Sequence, residues 1–125
     1  LTAQSDFISL HTPLTPETEN MFNAARLQQM KSGAFLINVS RGGIVDEQAL
    51  YEALKSGHLA GAAADVFLEE PCATHPLLTL ANFAPTSHIA GYTDGAISNI
   101  SARCVNNIIT CVCGGERPEN IMNSL

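Results

Sequence analysis

"AFLINVSRGGIVDEQALYEALKSG", from Ala34 to Gly57, changes its periodicity halfway along, and that change decides the fold. Ala34 to Val39 is a β-rich apolar run without alternation, as expected for a strand covered on both faces in a parallel sheet. From Asp46 the pattern is helical. Asp46 caps Glu47–Ser56, Ala49, Leu50, Ala53 and Leu54 form a stripe, and Gly57 ends it. Between them lie Ser40, Arg41, Gly42 and Gly43, a turn in which the glycines let the backbone bend tightly and approach a neighbour closely. An arginine, a cation rarely buried, at the end of an apolar strand either faces a ligand or pairs on the surface with Asp46 or Glu47.

The same punctuation extends outward. Asp6–His11 (DFISLH) reads as a strand stopped by Thr12, Pro13 and Pro16. Asn23 caps a helix over Ala24–Lys31 with Leu27 and Met30 inside, and Gly33 ends it. Gly61–Phe67 (GAAADVF) is a third strand and Phe83–His88 a short fourth. Thr93 to about Cys113 is a long helix with Ile97, Ile100, Cys104, Ile108 and Cys111 on one face, ended by Gly114 and Gly115. Alternating strands and helices indicate a Rossmann-like α/β unit, a mostly parallel sheet with flanking helices. Right-handed crossovers then gather the strand ends on one edge, where open α/β sheets bind ligands.

Composition narrows the function. The chain has 125 residues, 46% apolar and 14% charged, enough for one domain with a core. Net charge is −6 with six Lys and Arg, so no basic stripe exists for nucleic acid or anionic membrane. No apolar run reaches the ~18–20 residues of a membrane span, and no signal sequence opens the chain. Cys72, Cys104, Cys111 and Cys113 form no metal-type pair and read as free thiols in a reducing compartment. No metal site is expected. The first residue is Leu1 rather than Met, which suggests a piece of a longer or processed chain.

The strand ends carry His11 and Thr12, Ser40 and Arg41, Asp65, then Glu70, and His88. Turns alone account for Gly, Asn, Asp, Ser or Pro there, and less well for an arginine, a carboxylate and two histidines. Arg41 offers a planar fork for a carboxylate. A histidine exchanges protons near neutral pH, and an acid beside it favours the imidazolium and orients the ring. Together these groups suit a 2-oxo or 2-hydroxy acid, whose redox chemistry needs a nicotinamide cofactor because no side chain supplies hydride. Each also has a bland reading. His88 alone fits a strand-end structural histidine, His11 a packing residue, and Glu69 and Glu70 a solvated charge pair. His58 and His75 lie in turns and receive no role. Asp65, inside an apolar strand, requires donors, which a cofactor amide or ribose could provide.

The sequence closely resembles the NAD-binding domain of the D-isomer-specific 2-hydroxyacid dehydrogenases, a family that includes D-3-phosphoglycerate, D-lactate, glycerate, hydroxypyruvate/glyoxylate and formate dehydrogenases. The resemblance runs through "DFISLHTPLTPET", "MKSGAFLINVSRGGIVDEQAL", "GHLAGAAADVFLEEP" and "HIAGYT", in that order. It implies a triad of Arg41, Glu70 and His88. The arginine binds the substrate carboxylate and carbonyl, the glutamate keeps the histidine protonated for 2-oxo acid reduction, and the histidine gives and takes the proton. It further implies NAD (or NADP) contacts from Thr12, Val39, Ser40, Arg41, Asp65, His88 and Gly91, with Asp65 meeting the carboxamide, and a cytoplasmic homodimer acting on a small 2-hydroxy/2-oxo acid.

Two departures from the pattern are mild, Ser87 where many relatives carry proline and Ala64 in place of a larger residue, and one is severe. The G-x-G-x-x-G turn and the acidic residue beyond it are absent. Residues 1–116 are therefore expected to be the C-terminal part of a cofactor domain, and residues 117–125 a tail returning toward a substrate domain. By itself such a fragment is expected to bind NAD weakly, to lack turnover, and to expose an apolar face prone to self-association. The rival readings are a non-enzymatic dinucleotide-sensing module, as in the related C-terminal-binding-protein corepressors, and a truncated remnant.

Overall fold

The structure, a computed structural model, describes residues 1–117. The chain divides into two compact units, Leu1–Ala90 and Gly91–Leu125. In the first, β1 (Phe7–Leu10), β2 (Phe35–Asn38), β3 (Gly61–Ala64) and β4 (Phe83–Pro85) form one parallel sheet in the order β1-β2-β3-β4. Helices α1 (Ala24–Gln28) and α2 (Glu47–Lys55) and a 3₁₀ turn at Pro76–Thr79 make the returns between strands. The second unit is helix α3 (Asp94–Gly114) with its flanking residues.

The core lies on the helical side of the sheet. Ile8 and Leu10, Leu36, and Ala62 and Ala64 meet Leu27, Met30, Leu50, Leu54, Leu59 and Leu77 there. α1 packs on α2, and the 3₁₀ turn packs on both α2 and β4. On the other side Phe7 and Phe35 are exposed, with their rings stacked 5.0 Å apart between centroids. The expectation of a strand covered on both faces is thus corrected for this unit: burial alternates along β1 and β2. The apolar run is used laterally instead. Phe35 stacks on Phe7 and fills the space beside Gly61, where an added Cβ would lie 2.9 Å from its ring.

Element ends follow local hydrogen bonding. Asn23 Oδ1 accepts from Arg26 N at 3.1 Å and starts α1 as expected. α1 stops at Gln28, before the expected Lys31, because the Gln29 N–H already bonds the Ala25 and Arg26 carbonyls in a tightened last turn. Gly33 and Gly57 take the left-handed conformations their terminating positions require, with φ of 83° and 76°. β3 is shorter than the expected Gly61–Phe67, because Asp65 N makes the last rung, to Asn38 O at 2.9 Å, and the next amides turn to carboxylates. β4 ends at Pro85 rather than His88, after which residues 86 to 90 gather on Asp65. α3 starts on a Thr93 cap, with Ala96 N donating to Oγ1 at 3.2 Å, and ends on left-handed Gly115, as expected from the sequence. Residues 118–125, most of the expected tail, lie outside the described residues.

The cap of α2 can be tested directly. Asp46 Oδ1 accepts from Ala49 N at 3.0 Å. Asp46→Ala strands that donor and is expected to lower stability by about 1 kcal/mol, read as a shift of the urea midpoint with an unchanged slope.

Candidate active site

Two hollows open beyond the carboxyl ends of the strands. The first is lined by His11 and Thr12 after β1 and by Val39, Ser40 and Arg41 after β2. Its wall is built by buried Asn38, whose Oδ1 accepts from Ser40 N at 3.1 Å while Nδ2 donates to Arg41 O at 3.0 Å. The Ser40 hydroxyl donates to the Thr12 carbonyl and ties the two strand ends together. His11 bonds Ser9 Oγ through Nε2 at 2.8 Å. Thr12 Oγ1 is buried with no hydrogen-bond partner among the described residues. A buried hydroxyl without a partner is unfavourable by a few kcal/mol in general, so this wall is suited to a polar ligand group. Arg41 is exposed, and Nη1 donates to the Ser40 carbonyl at 2.7 Å. Among the described residues it makes no ion pair with Asp46 or Glu47, the bland role considered for it.

The second hollow lies after β3 and β4 and holds Asp65, Glu70, Cys72, Thr86, Ser87 and His88 among its lining. His88 Nδ1 sits 2.9 Å from Glu70 Oε2. Glu70 Oε1 accepts from Phe67 N, also at 2.9 Å, so one carboxylate is held at both oxygens. The hydrogen bond from His88 and that from Phe67 N–H hold the Glu70 carboxyl below its ordinary range. His88 itself has a left-handed backbone, φ 59°, uncommon for a non-glycine residue.

Asp65 explains that turn. It is 4% exposed. Oδ1 accepts from Thr86 Oγ1 and from Ile89 N at 2.9 Å, and Oδ2 accepts from Ala90 N at 2.9 Å. Burial pushes the carboxyl up, but the Thr86 hydroxyl, the Ala90 and Ile89 amides and the His88 charge outweigh it and hold the carboxyl below its ordinary value. The donors that a buried aspartate requires thus come from the chain's own 86–90 turn. Asp65→Asn turns an NH2 group toward one of these donors and is expected to destabilise by about 1–3 kcal/mol. A group with a lowered folded pKa stabilises the fold above its unfolded value and ceases to as pH falls through the folded one. Wild-type stability should therefore decline as pH falls through the value 3.8 ordinary for aspartate and below it, and Asp65→Asn should flatten that decline in urea titrations.

Glu70, His88 and Asp65 thus share one hollow, while Thr12, Val39, Ser40 and Arg41 line the other. Gly91 opens the second unit and is described apart from both. Sequence reasoning missed Asn38 and Thr86, which hold Arg41's turn and Asp65. It also gave no role to His75 and considered Glu47 only as a surface partner of Arg41, whereas the side chains of Glu47 and His75 meet at 3.1 Å. Half-buried Cys72, whose thiol is pushed up first by burial and then by Glu47, was noticed only as a free thiol. Among the described residues no cluster of three potential ligands could hold a metal ion, and no helix is long and apolar enough to cross a membrane.

The model of the D-isomer specific 2-hydroxyacid dehydrogenase NAD binding domain matches residues 1–90. The chain is 44% identical over 123 residues to D-3-phosphoglycerate dehydrogenase of Methanocaldococcus jannaschii, covering 98% of this chain and 23% of that protein. It is 42% identical over 124 residues to glycerate dehydrogenase of Methylorubrum extorquens, covering 97% of this chain and 39% of the relative. The NAD-complexed D-isomer specific 2-hydroxyacid dehydrogenase of Lactobacillus delbrueckii ssp. bulgaricus superposes with a TM-score of 0.84 at 36% identity, over 97% of this chain and 41% of that one. The chain therefore spans less than half the length of these relatives.

Proposed function

The chain belongs to the D-isomer specific 2-hydroxyacid dehydrogenases, through their NAD-binding domain, and from that premise we propose that the protein carrying it interconverts a small D-2-hydroxy acid and its 2-oxo acid with NAD or NADP. The observation that carries this reading is the Glu70–His88 contact at 2.9 Å, at a strand end of the same sheet edge that bears Arg41. Arg41 binds the substrate carboxylate through its fork. His88 transfers the proton at the substrate oxygen through Nε2, the nitrogen left without a partner among the described residues. Glu70 orients the ring through Nδ1 and balances its charge.

The dinucleotide is held by the first hollow. The unpartnered Thr12 hydroxyl supports this assignment, with Val39, Ser40 and Arg41 beside it. When bound, the nicotinamide supplies or accepts the hydride. In this reading Asp65 acts first by fixing the turn that carries His88. A reducing, cytoplasmic setting and a homodimer belong to the same proposal, and the four free cysteines support the first of these.

NADH and NADPH oxidation by the purified natural gene product, across a panel of 2-oxo acids, tests the reading. Turnover with at least one member is expected. No oxidation with any member, together with retained dinucleotide binding, would transfer the chain to the non-enzymatic, dinucleotide-sensing alternative.

A further inference from the structure

Beyond the hollow that holds His88, a second carboxylate reaches the same loop. Glu47 stands in the first turn of α2, just after the Asp46 cap, where the helix dipole favours a negative charge. Its Oε1 accepts from Leu68 N at 2.7 Å, and its Oε2 meets His75 Nε2 at 3.1 Å. His75 is fixed from its other side, because Leu77 N donates to Nδ1 at 3.2 Å. That bond leaves the ring hydrogen on Nε2, directed at Glu47.

The consequence lies in the adjoining peptide. The Leu68 N–H and the Phe67 carbonyl belong to one planar peptide unit. Its carbonyl side packs so closely on Gly42 that an added Cβ would lie 2.0 Å from the oxygen. Its N–H side is held by Glu47. One residue back, the Phe67 N–H holds Glu70 Oε1, and Glu70 Oε2 holds His88. The loop between β3 and the 3₁₀ turn has no regular ladder of its own, so these bonds set where the Glu70 carboxylate stands.

We propose that Glu47, braced by His75, is a positioning residue: through the Phe67–Leu68 peptide it sets the Glu70–His88 contact. The geometric part of this inference stands alone; its consequence for turnover rests on the dehydrogenase reading above. Glu69 is the natural control. It is an exposed neighbour of Glu70 that forms no hydrogen bond or ion pair among the described residues, so removing its charge tests charge without contact.

The test uses the natural gene product as wild type, Glu47→Gln, His75→Asn and Glu69→Gln. Glutamine offers a single acceptor where two donors converge. Asparagine at 75 can still cap Leu77 N–H but no longer reaches Glu47, so it keeps the 3₁₀ turn while removing the brace. Histidine-ring 15N NMR reads the His88 Nδ1–H directly, whether or not the protein turns over. Loss of protection of that proton in Glu47→Gln and His75→Asn, with Glu69→Gln like wild type, is expected. In an active protein, kcat should also fall about 10- to 100-fold, as misplacement of a reacting group by up to an ångström does, with KM for the dinucleotide held and the basic limb of the pH profile for 2-oxo acid reduction moved to lower pH. An unchanged His88 signal in folded Glu47→Gln and His75→Asn overturns the proposal, as does a lowered melting temperature with signal and kcat intact. Wild type inactive on every 2-oxo acid, with the NMR change present, would sink the dehydrogenase reading and leave the positioning role standing.

Discussion

His88→Gln in the natural gene product is expected to lower kcat for 2-oxo acid reduction by about two to four orders of magnitude, the usual contribution of a positioned general acid. The expectation follows from where the two ring nitrogens go. Nδ1 is taken by Glu70 at 2.9 Å, and Glu70 is anchored in turn by the Phe67 amide. Nε2 remains for the substrate oxygen. A glutamine can keep the contact with Glu70 through its amide and has no proton to give at the other end. The backbone also supports glutamine here, since the left-handed φ of 59° is held by Asp65 through the Ile89 and Ala90 amides rather than by the ring. Melting temperature should therefore change little while turnover collapses, and steady-state kinetics beside a thermal scan separates the two. Turnover within a few-fold of wild type would remove His88 from the acid–base role. A scaffold that senses dinucleotide would keep partner binding in this variant.

What the sequence made legible was local. The change from an unbroken apolar run to a helical stripe placed β2 and α2, Asp46 announced its own cap, and Gly33, Gly57 and Gly115 marked ends that are left-handed in the structure. The collection of Ser40, Arg41, Asp65, Glu70 and His88 at strand ends followed from parallel topology alone. What stayed hidden, apart from the expected Glu70–His88 contact, was the set of contacts that single polar residues make across a long span of chain. Thr86 reaches Asp65 and Glu47 reaches Leu68, each over 21 residues, and neither leaves a periodic trace. Asn38, set in an apolar run, passed as part of the strand, although its side chain builds the Arg41 turn. The two-faced burial expected of β2 failed for a related reason. An apolar run reports a preference for burial and does not say whether a helix or the neighbouring strand's side chain provides it, and here Phe35 is met laterally by Phe7.

The largest stability effect is expected at Gly42. Ideal Cβ atoms built there fall 2.0 Å from the Phe67 oxygen, 2.2 Å from its carbonyl carbon and 2.7 Å from Leu68 N. These are backbone atoms, so no rotamer change clears them. The peptide cannot easily retreat, because Glu47 holds its N–H, Glu70 holds the amide before it, and the Phe67 ring packs edge-on against Phe83 in the core. Gly42→Ala must lift the Arg41 turn or displace the Phe67–Leu68 peptide. Overpacking of this kind costs about 1–3 kcal/mol when side chains can adjust, and with only backbone to move about 3 kcal/mol or more is expected, a large share of the ~5–15 kcal/mol that holds a typical domain. Gly43→Ala is the informative comparison. Gly43 has φ 81°, but its added Cβ would meet only leucine side chains, Leu68 at 3.4 Å and Leu14 at 3.7 Å. Its penalty is therefore conformational, about 1–2 kcal/mol for a left-handed alanine. Urea midpoints for the two variants decide between contact and conformation. If Gly43→Ala proves the more damaging, the close seating of the Arg41 turn on Phe67 is wrong, and the path from that turn to Glu70 fails with it.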